Sequence, residues 1–196
     1  GFHVGYYKAA LSGADSIKES DAGYVKAVAG LDQEENSLLS YLYQQAVSPH
    51  LAAKWEGNPV ELAKVRHDYE GVREKYDYVL VEGSGGIVCP LRYDDKTHLF
   101  LEDIIVALKL DTLIVADAGL GAINAVTLTV EYLKSRDLGC RGVILNRFTE
   151  TAMEKDNAAM ITAITGLPIF ALVPPNAGDL AIDKDTLRSL FKEKRP

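Results

Sequence analysis

Apolar, β-branched runs punctuate the chain at residues 3–8, 78–82, 112–117 and 142–146, and a fifth, 168–173, ends in Pro174-Pro175. Short runs that are apolar on both sides of the chain predict strands buried on both faces. Between them lie stretches with helical period. The clearest is 59–76, where Leu62, Val65, Tyr69, Val72 and Tyr76 recur at spacings of three and four. Asn58 is placed to cap that helix, with Pro59 at its first position and Glu61 completing a capping box. Further helices are expected over 20–29, 99–109, 122–136, 152–165 and 184–192. Residues 32–58, rich in Tyr, Gln, Pro and Gly, read as an excursion over the sheet. Strands alternating with helices predict an α/β fold, a parallel sheet with helices on both faces. The chain opens almost directly on a strand. An additional strand, phosphate loop and helix, roughly 30 residues in such a unit, are expected to precede Gly1.

Length and charge narrow the picture. A chain of 196 residues suits a single domain with a full core, and 47% hydrophobic with 25% charged residues is ordinary for one. A net charge of −7 argues against nucleic acid or an anionic membrane as the main partner, because both need a basic surface. Cys89 and Cys140 lie far apart and read as free thiols in a reducing compartment. No apolar run reaches the length of a membrane span and no signal-peptide pattern opens the chain, so the cytoplasm is the expected location.

In an open parallel sheet, ligands bind beyond the carboxyl ends of the strands. The strand ends supply Lys8 and Ser12, then Glu82-Gly83-Ser84-Gly85-Gly86, then Asp117 through Asn124, then Asn146-Arg147, then Val173-Pro174-Pro175. Glu82 is either a solvated strand-end carboxylate or a ligand for a hard cation such as Mg²⁺; the glycines after it allow close approach of backbone to ligand. Asp21 is either the cap of a helix or, with Ser20 capping instead, a second Mg²⁺ carboxylate. Lys8 is either a solvated lysine or a neutraliser of phosphate or carbamate charge. Gly119 to Asn124 form either an ordinary strand-to-helix turn or an amide cradle for an anion. Asn146 is either a turn former or a reader of an adenine edge.

Taken in order, Tyr6-Tyr7-Lys8 with Ser12-Gly13, Ser20-Asp21-Ala22, Ser48-Pro49-His50, Val81-Glu82-Gly83-Ser84-Gly85-Gly86, Gly119-Leu120-Gly121-Ala122-Ile123-Asn124 and Val173-Pro174 resemble the dethiobiotin synthetase family across nearly the whole chain. The resemblance implies a three-layer fold of the P-loop NTPase type and a ligase of biotin biosynthesis. Its substrates would be 7,8-diaminopelargonic acid, CO₂ and ATP. By the same resemblance, Lys8 and Ser12 would be catalytic, with Ser12 also touching the diamine. Asp21 and Glu82 would hold Mg²⁺. Asn146, Val173, Pro174, Pro175, Glu82 and Gly85 would line the nucleotide site. Gly121, Ala122, Ile123 and Asn124 would grip the substrate carboxylate from the second subunit of a homodimer.

Two departures stand out. Family members usually carry proline after the Tyr-Lys pair, where this chain has Ala9. The family's glycine-rich loop ending in Gly-Lys-Thr, which binds the β- and γ-phosphates, does not occur in these 196 residues. Two other readings therefore accompany the ligase: a related ATP-dependent amidoligase of corrin biosynthesis, and a non-catalytic regulatory domain of the same fold.

Overall fold

The computed structural model describes residues 2–191, which gather into two compact units, one ending at Leu108 and the other beginning at Lys109. The predicted helix end at Lys192 lies outside the described residues.

The first unit is built on β1 (Val4–Ser12), which is buried on both faces along most of its length. It runs four residues beyond the predicted end. Parallel neighbours flank it on either side, β2 (Leu39–Tyr43) and β3 (Tyr78–Glu82), giving the order β2-β1-β3. Successive side chains alternate between faces of the sheet. Tyr7 therefore turns toward the helix α3 (Leu62–Lys75), packs its ring against Tyr69 with a tilt of 59° at 5.6 Å and donates its hydroxyl to the Val65 carbonyl at 3.0 Å. Tyr6 turns the other way, into a cluster with Leu11, Ala22, Leu38 and Leu39 beneath α1 (Asp21–Ala29). A short helix α2 (Pro49–Trp55), an antiparallel hairpin of β4 (Pro90–Tyr93) and β5 (His98–Phe100), and α4 (Leu101–Leu108) complete the unit.

In the second unit β6 (Thr112–Asp117), β7 (Cys140–Asn146) and β8 (Ile169–Val173) form a parallel sheet in that order. Helices α5 (Ala122–Ser135) and α6 (Ala152–Thr165) bury Val126, Val130 and Ile161 in one cluster with Val143 and Leu145 of the central strand. Thr151 and Glu154 form a reciprocal capping box at the start of α6. Helix α7 (Lys184–Ser189) follows.

Four expectations are corrected. Residues 32–58 are not merely an excursion, since they contain β2 and α2. The helix predicted from Pro59 begins at Leu62, and the Asn58 capping box does not form. Val60 is fully buried, which holds the chain extended there, and Arg92 of β4 captures the Glu61 carboxylate. The segment beginning at Leu99 divides into β5 and a helix starting at Leu101. Finally, not every strand is buried on both faces. Among the described residues β3 pairs with β1 alone and β6 with β7 alone. Leu80 of β3 and Val115 of β6 are exposed.

Candidate active site

The carboxyl end of β1 carries Lys8, and its in-register partner on β3 is Glu82. Parallel pairing thus sets the ammonium and the carboxylate side by side. Lys8 Nζ donates to Glu82 Oε1 at 2.8 Å and to Asp21 Oδ2 at 2.6 Å. Asp21 can take this role because Ser20 caps α1 in its place, its Oγ accepting the Gly23 N–H at 3.3 Å. The sequence left both possibilities open for Asp21; the local fold selects the pairing with Lys8.

Lys8 is almost wholly buried, whereas the Asp21 and Glu82 side chains remain open to solvent by 50% and 38%. Burial alone would push the Lys8 ammonium down, but the hydrogen bonds to Asp21 and Glu82 outweigh it and hold it above the ordinary lysine value. Lys8 is therefore charged throughout the neutral range. The other oxygen of Glu82, Oε2, accepts the Tyr6 hydroxyl at 2.7 Å. Burial and the adjacent Glu82 raise the Tyr6 phenol far above its usual value, so Tyr6 stays a donor.

Beside this triad lies a cleft of about 350 Å³ whose wall includes Lys8, Ser12, Asp21, Ser48, Ser84 and Gly85. Ser12 Oγ donates to the Val47 carbonyl at 2.6 Å, which commits its proton and leaves its oxygen lone pairs as acceptors. Gly85 has φ +88, a left-handed conformation that a side chain would strain, and this lets the loop after β3 fold against the cleft. Ser84 Oγ donates to the Ala10 carbonyl and ties that loop to β1. Cys89 also lines the cleft, but burial and then Glu102 push its thiol up, away from nucleophilic thiolate.

In the second unit the strand ends are in register: Asp117 lies beside Asn146, and Asn146 beside Val173. Asn146 Oδ1 accepts the Arg147 N–H at 2.8 Å, and the Phe148 N–H donates to the Val173 carbonyl at 2.9 Å. Pro174 and Pro175 continue from that edge. The Asp117 carboxylate accepts the Gly119 N–H at 2.7 Å and Arg147 Nε at 2.6 Å, and these two donors hold it below the usual carboxylate range. Asn157 of α6 donates to the carbonyls of Ala118 and Gly119 at 2.9 and 3.0 Å. Gly121, at φ +91, caps α5. Ala122 N–H turns back to the Gly119 carbonyl at 3.2 Å, while Ile123 and Asn124 sit in the first turn, where amides have no carbonyl four residues back.

The structure thus brings Lys8, Ser12, Asp21, Glu82 and Gly85 together in the first unit. It places Asn146 with Val173, and Gly121 through Asn124, at the carboxyl edge of the sheet in the second. Tyr6 and Cys89 were not expected near this chemistry. Tyr6 had a usable signal, since it lies two residues before Lys8 and so on the same face of β1. Cys89 had none.

The donor set fits magnesium. Asp21 and Glu82 stand together against the Lys8 ammonium with half-open side chains, and Mg²⁺ takes one or two carboxylates, completing its octahedron with water and phosphate oxygens. No group of three or more His, Cys, Asp or Glu that could hold a metal occurs among the described residues, so a two-carboxylate site is what this unit offers. No helix among them is long and apolar enough to cross a membrane.

A family model described as an AAA domain matches residues 1–179. The ATP-dependent dethiobiotin synthetase of Brachyspira hyodysenteriae is 49% identical over 193 residues, 98% of this chain and 86% of that protein. That of Clostridium novyi is 45% identical over 179 residues, 89% and 75% of the two chains. Among solved structures, a ParA family ATPase from Chlorobium tepidum aligns with a TM-score of 0.52 at 19% identity, covering 96% of this chain and 76% of its own. The MinC:MinD cell division complex from Aquifex aeolicus gives 0.51 at 19%, covering 89% and 69%. These two likenesses are to the fold alone, and they agree with an α/β architecture of parallel strands carrying helices. At such identity and coverage to the curated relatives, the chain belongs to the ATP-dependent dethiobiotin synthetase family.

Proposed function

We propose that this chain closes the ureido ring of dethiobiotin in biotin biosynthesis, in the cytoplasm, using 7,8-diaminopelargonic acid, CO₂ and ATP. The observation that carries the reading is the buried Lys8 ammonium held between two carboxylates at the wall of a small cleft. One amine of the substrate adds to CO₂ and loses a proton to give a carbamate. A carbamate oxygen attacks the γ-phosphorus of ATP, ADP leaves, and a carbamic–phosphoric anhydride forms. The second amine then attacks the carbonyl carbon, phosphate departs, and the second C–N bond closes the ring.

The residues have little covalent chemistry to perform and act by positioning and charge. Lys8 neutralises the carbamate and the transferring phosphoryl group. Ser12, its proton given to Val47, presents lone pairs to an N–H of the diamine. Asp21 and Glu82 would hold Mg²⁺, which supplies charge neutralisation on the phosphates. Gly85 admits the nucleotide close to the backbone. Asn146, its carbonyl taken by Arg147, keeps its amide donors for an adenine acceptor, with Val173, Pro174 and Pro175 lining that pocket. In the intact protein with Mg²⁺ and bicarbonate, phosphate release from ATP is expected to require the diamine. Glu82→Ala is expected to lower it by about 100-fold. Release that is indifferent to the diamine would sink the synthetase reading and move the weight to an amidoligase or a regulatory domain.

The first turn of α5 suits a carboxylate, with the Ile123 and Asn124 amides at the positive end of the helix dipole. We assign the substrate carboxylate to Gly121, Ala122, Ile123 and Asn124 of a second copy in a homodimer. Leu120, 94% exposed immediately before Gly121, supports a surface that another subunit covers. Two inactive variants, Lys8→Met and Asn124→Pro, which removes the amide at a first-turn position that tolerates proline, should regain about a quarter of wild-type activity when mixed and allowed to exchange subunits, if each site draws on both chains. No recovery in the mixture would place the whole site within one chain.

A further inference from the structure

Tyr6 is not part of the cleft wall, yet its hydroxyl ends on Glu82. Tyr6 and Lys8 lie two residues apart on β1 and so share a face. From that face Lys8 Nζ takes Oε1 of Glu82 at 2.8 Å and the Tyr6 hydroxyl takes Oε2 at 2.7 Å. The last torsion of a glutamate is broad and roughly two-fold; gripped at both oxygens, this one is held in a single orientation.

Tyr6 is itself immobilised. It is 1% exposed and packs with Leu11, Ala22, Leu38 and Leu39. Its backbone N–H and carbonyl are both taken by the buried Gln33 side chain, each at 2.8 Å. Gln33 thus supplies, two residues ahead of where β2 begins pairing at Lys8, the hydrogen bonds a strand backbone would make. Nothing about filling a core requires that arrangement to end on a strand-tip carboxylate.

We propose that Tyr6 is a positioning residue for a divalent cation: by holding Oε2 of Glu82 it fixes the orientation of that carboxylate beside Asp21, where both face the Lys8 ammonium. This rests on the reading of Glu82 as a magnesium carboxylate. Partners that orient metal ligands are typically worth about 10–100-fold in metal affinity. A tyrosine that merely satisfies its own hydroxyl would leave that affinity unchanged.

The test compares wild type, Tyr6→Phe, Glu82→Gln and the double variant in the intact protein. Mn²⁺ is the probe, titrated in the presence of ADP, with free Mn²⁺ counted by electron paramagnetic resonance. Tyr6→Phe keeps the ring that fills the core, and water can reach the half-open Glu82, so the variant folds; circular dichroism verifies this. Tyr6→Phe is expected to weaken Mn²⁺ binding about tenfold, and to raise the Mg²⁺ needed for half-maximal phosphate release by a similar factor. The rate at saturating Mg²⁺ should stay within about twofold of wild type, because the hydroxyl acts on binding of the ion. The double variant should bind Mn²⁺ no more weakly than Glu82→Gln alone, since Tyr6 acts through Glu82. Wild-type affinity in Tyr6→Phe beside weakened affinity in Glu82→Gln overturns the role of Tyr6 and leaves Glu82 in place. Unchanged affinity in Glu82→Gln removes both. Additive losses in the double variant would show Tyr6 acting elsewhere and overturn the proposal.

Discussion

Lys8→Met is expected to lower diamine-dependent phosphate release by about a thousandfold, the scale seen when a preorganised charge-stabilising donor is removed from a site. Methionine keeps much of the stem's volume, so the core around β1 has little reason to rearrange. What is lost is a charge held in a fixed place. Lys8 is nearly buried, and its hydrogen bonds to Asp21 and Glu82 keep it protonated at neutral pH. No added base or mild alkalinity should mimic the mutation, because the ammonium lies above the ordinary lysine range. The variant also leaves two carboxylates facing each other without the cation between them. That uncompensated negative charge strengthens the attraction of the pair for a divalent ion, so Mg²⁺ should protect Lys8→Met against thermal unfolding more than it protects wild type. Steady-state kinetics and thermal melts with and without Mg²⁺ check both parts. Activity within tenfold of wild type would show that Lys8 is a structural counter-ion and would move the electrostatic role to another residue.

The second large effect concerns stability. Leu145→Ala is expected to cost about 2–5 kcal/mol, as buried leucine truncations do when the surroundings collapse only in part. Leu145 is fully buried on the central strand β7, in one cluster with Val126, Val130, Val143, Phe148 and Ile161. Its neighbours in the sheet, Ala116 and Leu172, are pinned by strand pairing, so the vacated space cannot close easily. Leu172 is the internal control: the same residue type, in register with Leu145 on β8, but 41% exposed. Leu172→Ala should cost about 1 kcal/mol or less, since much of its surface is already in water. Urea unfolding of the intact protein separates the two. Equal costs would mean that the β7 position is not packed as described. Because Asn146 follows Leu145 directly, activity per folded molecule at low temperature tests whether the lost core contact also disturbs the nucleotide edge.

Some of this molecule was legible from local pattern. The runs at 78–82 and 112–117 and the helix at 152–165 have the boundaries their composition predicts. In each, one signal dominates: a continuous apolar run, or a helical period opened by a threonine and a glutamate in capping positions. Where signals competed, tertiary contacts decided. The segment 39–43 alternates in burial as an edge strand should, but its three tyrosine and serine positions hid it among polar neighbours. Asn58 had the right spacing for a cap, yet its backbone carbonyl accepts the Tyr43 hydroxyl at 2.6 Å, and Arg92 draws Glu61 away.

The sequence by itself determined the strand–helix alternation, the residue types at the strand ends, and the family. These follow from hydrophobic period and from the order of short motifs, both of which are written along the chain. Only the tertiary structure decided that Asp21 turns to Lys8 while Ser20 caps the helix, that Lys8 and Glu82 are partners in register, and that Tyr6 holds the far oxygen of Glu82. Each of those depends on strand register or on which of two adjacent polar groups wins a contact. Such choices turn on distances between residues far apart in sequence, and spacing along one strand narrows them to a face without settling the partner.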